Sequence, residues 1–281
     1  MLKQRVLTAI ALLTVLLGVL FAPMPWTFAV FMAVLVSAGA WEWARLSGFT
    51  GHSTWICAAV AFAGCSALLI FPTTVDPHMA SIVMAVWGLM WLLCAVYLLH
   101  AGVGVWSRIP SCMRMGMGFL TLWATWVAAV RLHGQFGVGY LLSVMALVWV
   151  ADSAAYFVGR AFGKRKLAPQ ISPGKSWAGV VGGVIGVQAV AVACCVLAGS
   201  HTPNFYSDIQ QRAGWPALMI ITAIFTALSI LGDLVESLMK RGMGVKDSSQ
   251  LLPGHGGVLD RVDALLPVLP CALAVALWLN R

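Results

Sequence analysis

Polar residues are rare along most of this chain, and apolar runs follow one another almost without interruption. A helix needs about 20 apolar residues to cross a bilayer. Nine runs approach that length: Val6–Phe21, Trp26–Trp41, Trp55–Phe71, Met79–Leu99, Met115–Val130, Val138–Val158, Trp177–Leu197, Trp215–Met239 and Val262–Leu279. The first follows Met1-Leu2-Lys3-Gln4-Arg5 and has no clean small-x-small cleavage site before Pro23 and Pro25, so it reads as a retained span rather than a signal peptide. The pattern predicts an all-α, polytopic integral membrane protein with about nine transmembrane helices. Residues 1–135 are expected to form scaffold helices, and residues 136–281 a catalytic region with cytoplasmic loops. There is no internal repeat, low-complexity tract or separate soluble domain.

Composition agrees with this picture. Of the 281 residues, 61% are hydrophobic and 9% charged, against about 25% charged in a soluble domain. Mean hydropathy is +0.92. A water-soluble fold of this size has no interior large enough for so much apolar surface. The seven cysteines form no CxxC and lie mostly inside apolar runs, so they read as packing residues, with no disulfide or metal framework.

The net charge of +8 would suggest nucleic acid in a soluble protein, but here the basic residues sit between apolar runs. With the N-terminus in the cytoplasm and nine alternating spans, 14 Lys and Arg fall on the cytoplasmic side and 3 (Arg131, Arg212 and Arg281) on the other. The C-terminus then faces outward.

The acids are more informative. Six of nine (Asp152, Asp233, Glu236, Asp247, Asp260 and Asp263) fall at the cytoplasmic ends of the last four spans or in the loops joining them. Chemistry is therefore expected after about residue 150, with scaffold before it. Near the end of the eighth run, Asp233, Glu236, Ser237 and Lys240 share one helical face by their i, i+3, i+4 and i+7 spacing. A solvated Glu236–Lys240 pair is the plainer alternative for two of them. Next comes a polar loop containing Arg241, Lys246 and Asp247, then Pro253-Gly254-His255-Gly256-Gly257-Val258-Leu259-Asp260-Arg261-Val262-Asp263. Its glycines suit either a tight turn between spans or a nest of amides for phosphate oxygens. Asp260 and Asp263 either stabilise a helix start or join Asp233 in a carboxylate cluster. Such a cluster suits Mg²⁺, which is typically held by one or two carboxylates plus substrate phosphates. Upstream, Asp152 precedes a basic loop, in which Arg165 and Lys166 read as anchors at anionic lipid. Lys175 differs, because its Ser172-Pro173-Gly174-Lys175-Ser176 turn opens a helix, a setting for an anionic ligand. The spacing is not that of a Walker A loop.

These residues resemble the phosphatidate cytidylyltransferase family. Ser237-Leu238-Met239-Lys240-Arg241, then Lys246-Asp247, then the block from Pro253 to Asp263 match that family's signature at every fixed position. The Asp152-x-x-Ala155-Tyr156 and Ser172-Pro173-Gly174-Lys175-Ser176 elements are similar as well, and the resemblance covers roughly residues 150–265. It implies transfer of CMP from CTP to phosphatidate, giving CDP-diacylglycerol and pyrophosphate for phospholipid synthesis. It implies Mg²⁺, with room for a second cation, and a homodimer in the plasma membrane (the inner membrane of a bacterium). Its metal-binding aspartates correspond to Asp233 and Asp260. Lys240 and Arg261 then join these two as catalytic residues. Lys175, Ser237, Arg241, Lys246, Asp247, His255, Gly256, Gly257, Asp152 and Asp263 are expected to bind substrate. The competing classes are a transporter, whose acids would lie at the midplane, and another lipid-phosphate transferase. The motif of the CDP-alcohol phosphotransferases is absent.

Overall fold

The computed structural model describes residues 2–70, 76–197 and 203–280. Phe71 and Arg281, and the side chains of Lys3 and Arg5, lie outside the described residues. The helices are α1 (Leu2–Leu20), α2 (Pro25–Leu46), α3 (His52–Ile70), α4 (Pro77–Ala101), the short α5 (Gly104–Arg108), α6 (Ser111–Arg131) and α7 (Val138–Phe162). A two-stranded antiparallel hairpin, β1 (Lys166–Ala168) and β2 (Ser172–Ser176), leads into α8 (Trp177–Leu197). Then come α9 (Phe205–Gly242), the single turn α10 (Leu259–Val262) and α11 (Leu265–Leu279).

Local chemistry explains several boundaries. Pro25 and Pro77 occupy first-turn positions, where a missing N–H costs nothing. Asp76 caps α4 by accepting from Met79 N at 3.1 Å. Asn204 and Ser207 form a reciprocal capping box that starts α9. Gly214, at φ +83°, then breaks α9 into a short leading segment and a long main one, just before Pro216.

Among the described residues, seven helices are long and apolar enough to cross a membrane, rather than the nine expected. The last run falls short because α11 has only 15 residues, about 22 Å at 1.5 Å per residue. The first coincides with α1, many of whose side chains lie outside the described residues. The Ser172–Ser176 segment, expected as a turn, is a strand.

The short α11 still joins both ends of the bundle. It begins against Gly232 of α9, where an added Cβ would fall 2.6 Å from Asp263 O and 3.0 Å from Ala264 Cα. It ends beside the leading segment of α9. There Arg212 donates to Leu279 O (2.9 Å) and Asn280 Oδ1 (2.7 Å), and Asn280 Nδ2 donates to Asp208 Oδ2 (2.8 Å). The chain's C-terminal end and the Asp233–Asp263 region therefore lie at opposite ends of the bundle.

Helices in lipid gain little from burying apolar side chains against one another, so close contact through small residues carries the association. Gly182 shows this between α7 and α8, since a Cβ there would sit 2.5 Å from Val158 Cβ. The apolar core draws on both halves of the sequence, with Phe28 and Ala128 packed in the same cluster as Val187 and Ala272.

The tight α9–α11 approach generates a test. Gly232→Ala forces backbone apart and should lower stability by about 1–3 kcal/mol, the usual cost of overpacking. Gly116→Ala meets open space and should be neutral. Equal melting temperatures for the two variants in one detergent would refute the close approach.

Candidate active site

Two elements bring the acids together. Asp233 points from the main segment of α9, and the loop after α9 returns through α10 to place Asp260 and Asp263 beside it. With Asp152 of α7, Lys175 of β2 and Arg261, they line one cavity of about 630 Å³, a volume typical of small-molecule sites. Asp233 is engaged on both oxygens. Lys175 Nζ lies 2.7 Å from Oδ2, and Ser237 Oγ donates to Oδ1 at 3.2 Å. Asp152 and Asp263 lie within electrostatic reach of both Asp233 and Lys175.

Asp260 is the structural knot. Its Oδ1 accepts from Lys240 Nζ at 2.6 Å, and its Oδ2 from Gly257 N at 2.8 Å and Ser248 N at 3.0 Å. Ser248 Oγ lies a further 3.0 Å from Oδ2. Lys240 also pairs with Glu236. The expected i, i+4 pair is therefore present, but Glu236 is only 3% exposed, so it is a buried pair rather than a solvated one. Burial would push the Asp260 carboxyl up, but the Lys240 ammonium and the Gly257 amide outweigh it and hold the group at about 2. A pKa lowered in this way stabilises the fold above the unfolded value, near 3.9. The contribution disappears only as pH falls from there toward 2, so Asp260 is ionised and anchored at physiological pH.

Two glycines owe their identity to this knot. A Cβ on Gly256, at φ +86°, would lie 2.7 Å from Asp260 Oδ2. One on Gly257 would lie 2.0 Å from Ser248 Oγ and 2.3 Å from Glu42 Oε1. Of the two readings of these glycines, tight turn or phosphate nest, the Gly257 amide serves the turn, donating to Asp260.

Not every expected residue joins the cavity. Arg241, Lys246 and Asp247 are exposed. Arg241 donates to Val245 O at 3.3 Å, and Lys246 and Asp247 line a separate surface pocket with Trp41 and Arg45. His255 sits at the loop's tip, its carbonyl accepting from Arg261 at 2.6 Å. Its Nδ1 is buried without a hydrogen-bond partner among the described residues. Conversely, Lys166 and Arg160 line the cavity, although Lys166 reads from sequence as a surface anchor. Arg165, grouped with it, instead stands over the Trp177 ring at 6.0 Å. Glu42, outside every expected site, is wholly buried against the same loop.

A polytopic bundle with carboxylates, lysines and arginines gathered in one cavity at one end has the architecture of a membrane-embedded transferase of phosphorylated substrates. The profile of the cytidylyltransferase family matches residues 3–279. A phosphatidate cytidylyltransferase of Pseudomonas aeruginosa is 41% identical over 284 residues, covering 99% of this chain and 97% of that protein. One from Haemophilus influenzae is 39% identical over 292 residues, covering 96% of each. One from Bacillus subtilis is 39% identical over 161 residues, covering 55% of this chain and 56% of that protein. The chain belongs to the phosphatidate cytidylyltransferase family. It is a nucleotidyltransferase of phospholipid synthesis, and its product is CDP-diacylglycerol.

The contrast between two neighbouring cations is testable. Lys175→Ala should reduce turnover about 10²-fold or more, as losing a charge-stabilising donor does. Arg165→Ala should reduce it far less in matched detergent preparations. Equal losses would contradict the separation.

Proposed function

We propose that CTP and phosphatidate meet in the cavity lined by Asp152, Lys175, Asp233, Asp260, Arg261 and Asp263. One observation carries this. Arg261 lines both the acid cavity and an apolar groove walled by Phe28, Met32 and Val36 of α2, Met145 of α7 and Leu265 of α11. A lipid phosphate at Arg261 would thus keep its acyl chains in apolar surroundings while reaching the nucleotide. A phosphatidate oxygen forms a bond to the α-phosphorus of CTP as the bond from that phosphorus to the pyrophosphate oxygen breaks. The nucleophile is already an anion, so no general base is required. Lys175, Lys166, Arg160 and Arg261 hold and neutralise phosphate oxygens, and positioning supplies much of the rate. Ser237 orients Asp233, and Lys240 orients Asp260. His255 fixes Arg261 through its carbonyl. Gly256 and Gly257 let the loop close on Asp260. Arg241, Lys246 and Asp247 form an outer surface for incoming nucleotide.

The donor set fits Mg²⁺. It is made of carboxylate oxygens, without His or Cys among the cavity residues. No group of three or more His, Cys, Asp or Glu among the described residues could hold a metal by itself, so substrate phosphates would have to complete the coordination. Asp233 and Asp260 would hold it, Asp260 through the lone pair of Oδ1 left free by Lys240, with Asp152 and Asp263 alongside. When bound, the ion would neutralise charge developing on the phosphates; the same acids leave room for a second cation.

Counted with α1 and α11 as the first and ninth crossings, the 14-to-3 distribution of basic residues supports a cytoplasmic N-terminus and active site in the bacterial inner membrane, with an outward C-terminus. The homodimer follows from the family resemblance.

Asp233→Asn should abolish CDP-diacylglycerol formation across a Mg²⁺ titration without changing the melting temperature by more than a few degrees. Near-normal turnover by the folded variant would remove Asp233 from the ion. For topology, a cysteine at position 174 should label from the cytoplasmic side and a tag after Arg281 from the other. Labelling from one side only would overturn the orientation.

A further inference from the structure

Glu42 lies on α2, in the half of the chain that reads as scaffold, and is 0% exposed. Its hydrogen-bond donors all lie on the loop that carries Asp260. Oε1 accepts from Ser249 Oγ at 2.5 Å and Val258 N at 2.9 Å. Oε2 accepts from Leu259 N at 2.7 Å and lies 3.2 Å from Ser248 Oγ. No Lys or Arg pairs with it among the described salt bridges, so these donors are what holds the carboxylate. Ser248 has one hydroxyl proton, and it stands between two carboxylates, 3.0 Å from Asp260 and 3.2 Å from Glu42. The two backbone amides belong to Val258 and Leu259, the two residues immediately before Asp260. Gly257 has no room for a side chain because Glu42 and Ser248 occupy that space.

We infer that Glu42 is a positioning residue for transfer: it fixes the 248–259 loop so that Asp260 and Arg261 stand at the cavity in working geometry. Glutamine is nearly the same shape, but its NH₂ cannot accept. Glu42→Gln therefore leaves one of the Val258 and Leu259 amides facing another donor, and the loop must shift. Aspartate keeps both acceptor oxygens at a shorter reach.

The test measures kcat and KM for CTP, per folded molecule, in detergent. Glu42→Gln should lower kcat about 10–100-fold, the usual cost of losing a group that orients site ligands. KM for CTP should move far less, because Lys175, Lys166 and Arg160 keep their places. Glu42→Asp should retain more turnover than Glu42→Gln. A purely structural role would reduce the yield of folded protein and leave kcat unchanged, and that result overturns the inference. If Glu42→Gln does not fold, Ser249→Ala removes a single bond to the same carboxylate. It should lower kcat several-fold, and wild-type kcat in that variant would also overturn the inference. The inference rests on Asp260 working in the cavity, so Asp260→Asn is measured in parallel. Full activity of Asp260→Asn defeats that site assignment and the inference with it. An inactive Asp260→Asn beside a fully active, folded Glu42→Gln defeats the role of Glu42 alone.

Discussion

Lys240 is a charge with almost no water around it. Its side chain is 12% exposed, and its two partners, Glu236 and Asp260, are 3% and 6% exposed. An unpaired charge in such surroundings costs several kcal/mol, so the ammonium holds both carboxylates close. Glu236 is one turn back on α9, whereas Asp260 is 20 residues further along the chain. Satisfying Lys240 therefore pulls the loop after α9 back onto the helix and starts α11 at that depth. The shortness of α11 follows, since it begins at Leu265, well inside the level at which α9 ends.

The same constraint gives the cavity its composition. Lys240 and the loop amides occupy most of Asp260, whereas Asp233, on the same helix as Lys240, pairs with Lys175 at the cavity wall. The carboxylates thus divide into one that organises backbone and others that face the cavity. Positive charge reaches them from three elements, with Arg160 on α7, Lys166 and Lys175 on the hairpin, and Arg261 on α10. A highly charged nucleotide and a lipid phosphate need such a surface, and the apolar groove adjoining Arg261 keeps it continuous with the membrane interior.

Much of this is legible in the sequence. Helical spacing alone places Asp233, Glu236, Ser237 and Lys240 on one face, and the glycine-rich return to Asp260 and Asp263 makes their meeting close to unavoidable. Two kinds of feature are not legible. Glu42 meets Val258 and Leu259 across 216 and 217 residues, and no local pattern encodes that distance. Its one signal is an acid between Trp41 and Trp43 at the end of an apolar run, and acids at membrane depth merit a functional hypothesis by default. Lys166 differs from Arg165 in opening strand β1, where it pairs with Ser176, and that pairing is hidden when Ser172–Ser176 is taken for a turn. The span count fails at α11 because its proline-containing apolar run continues into residues that the structure folds as α10 and a turn.

The most direct measurement of the Lys240 constraint is a double-mutant cycle in thermal unfolding, using Lys240→Met, Asp260→Asn and the pair together in one detergent. Each single change leaves a buried group without its partner and should cost a large part of the protein's stability. The double variant should be no less stable than Lys240→Met alone, because the second change removes a charge already stranded by the first. Losses that simply add would show that the two residues stabilise the fold independently, and would contradict the account.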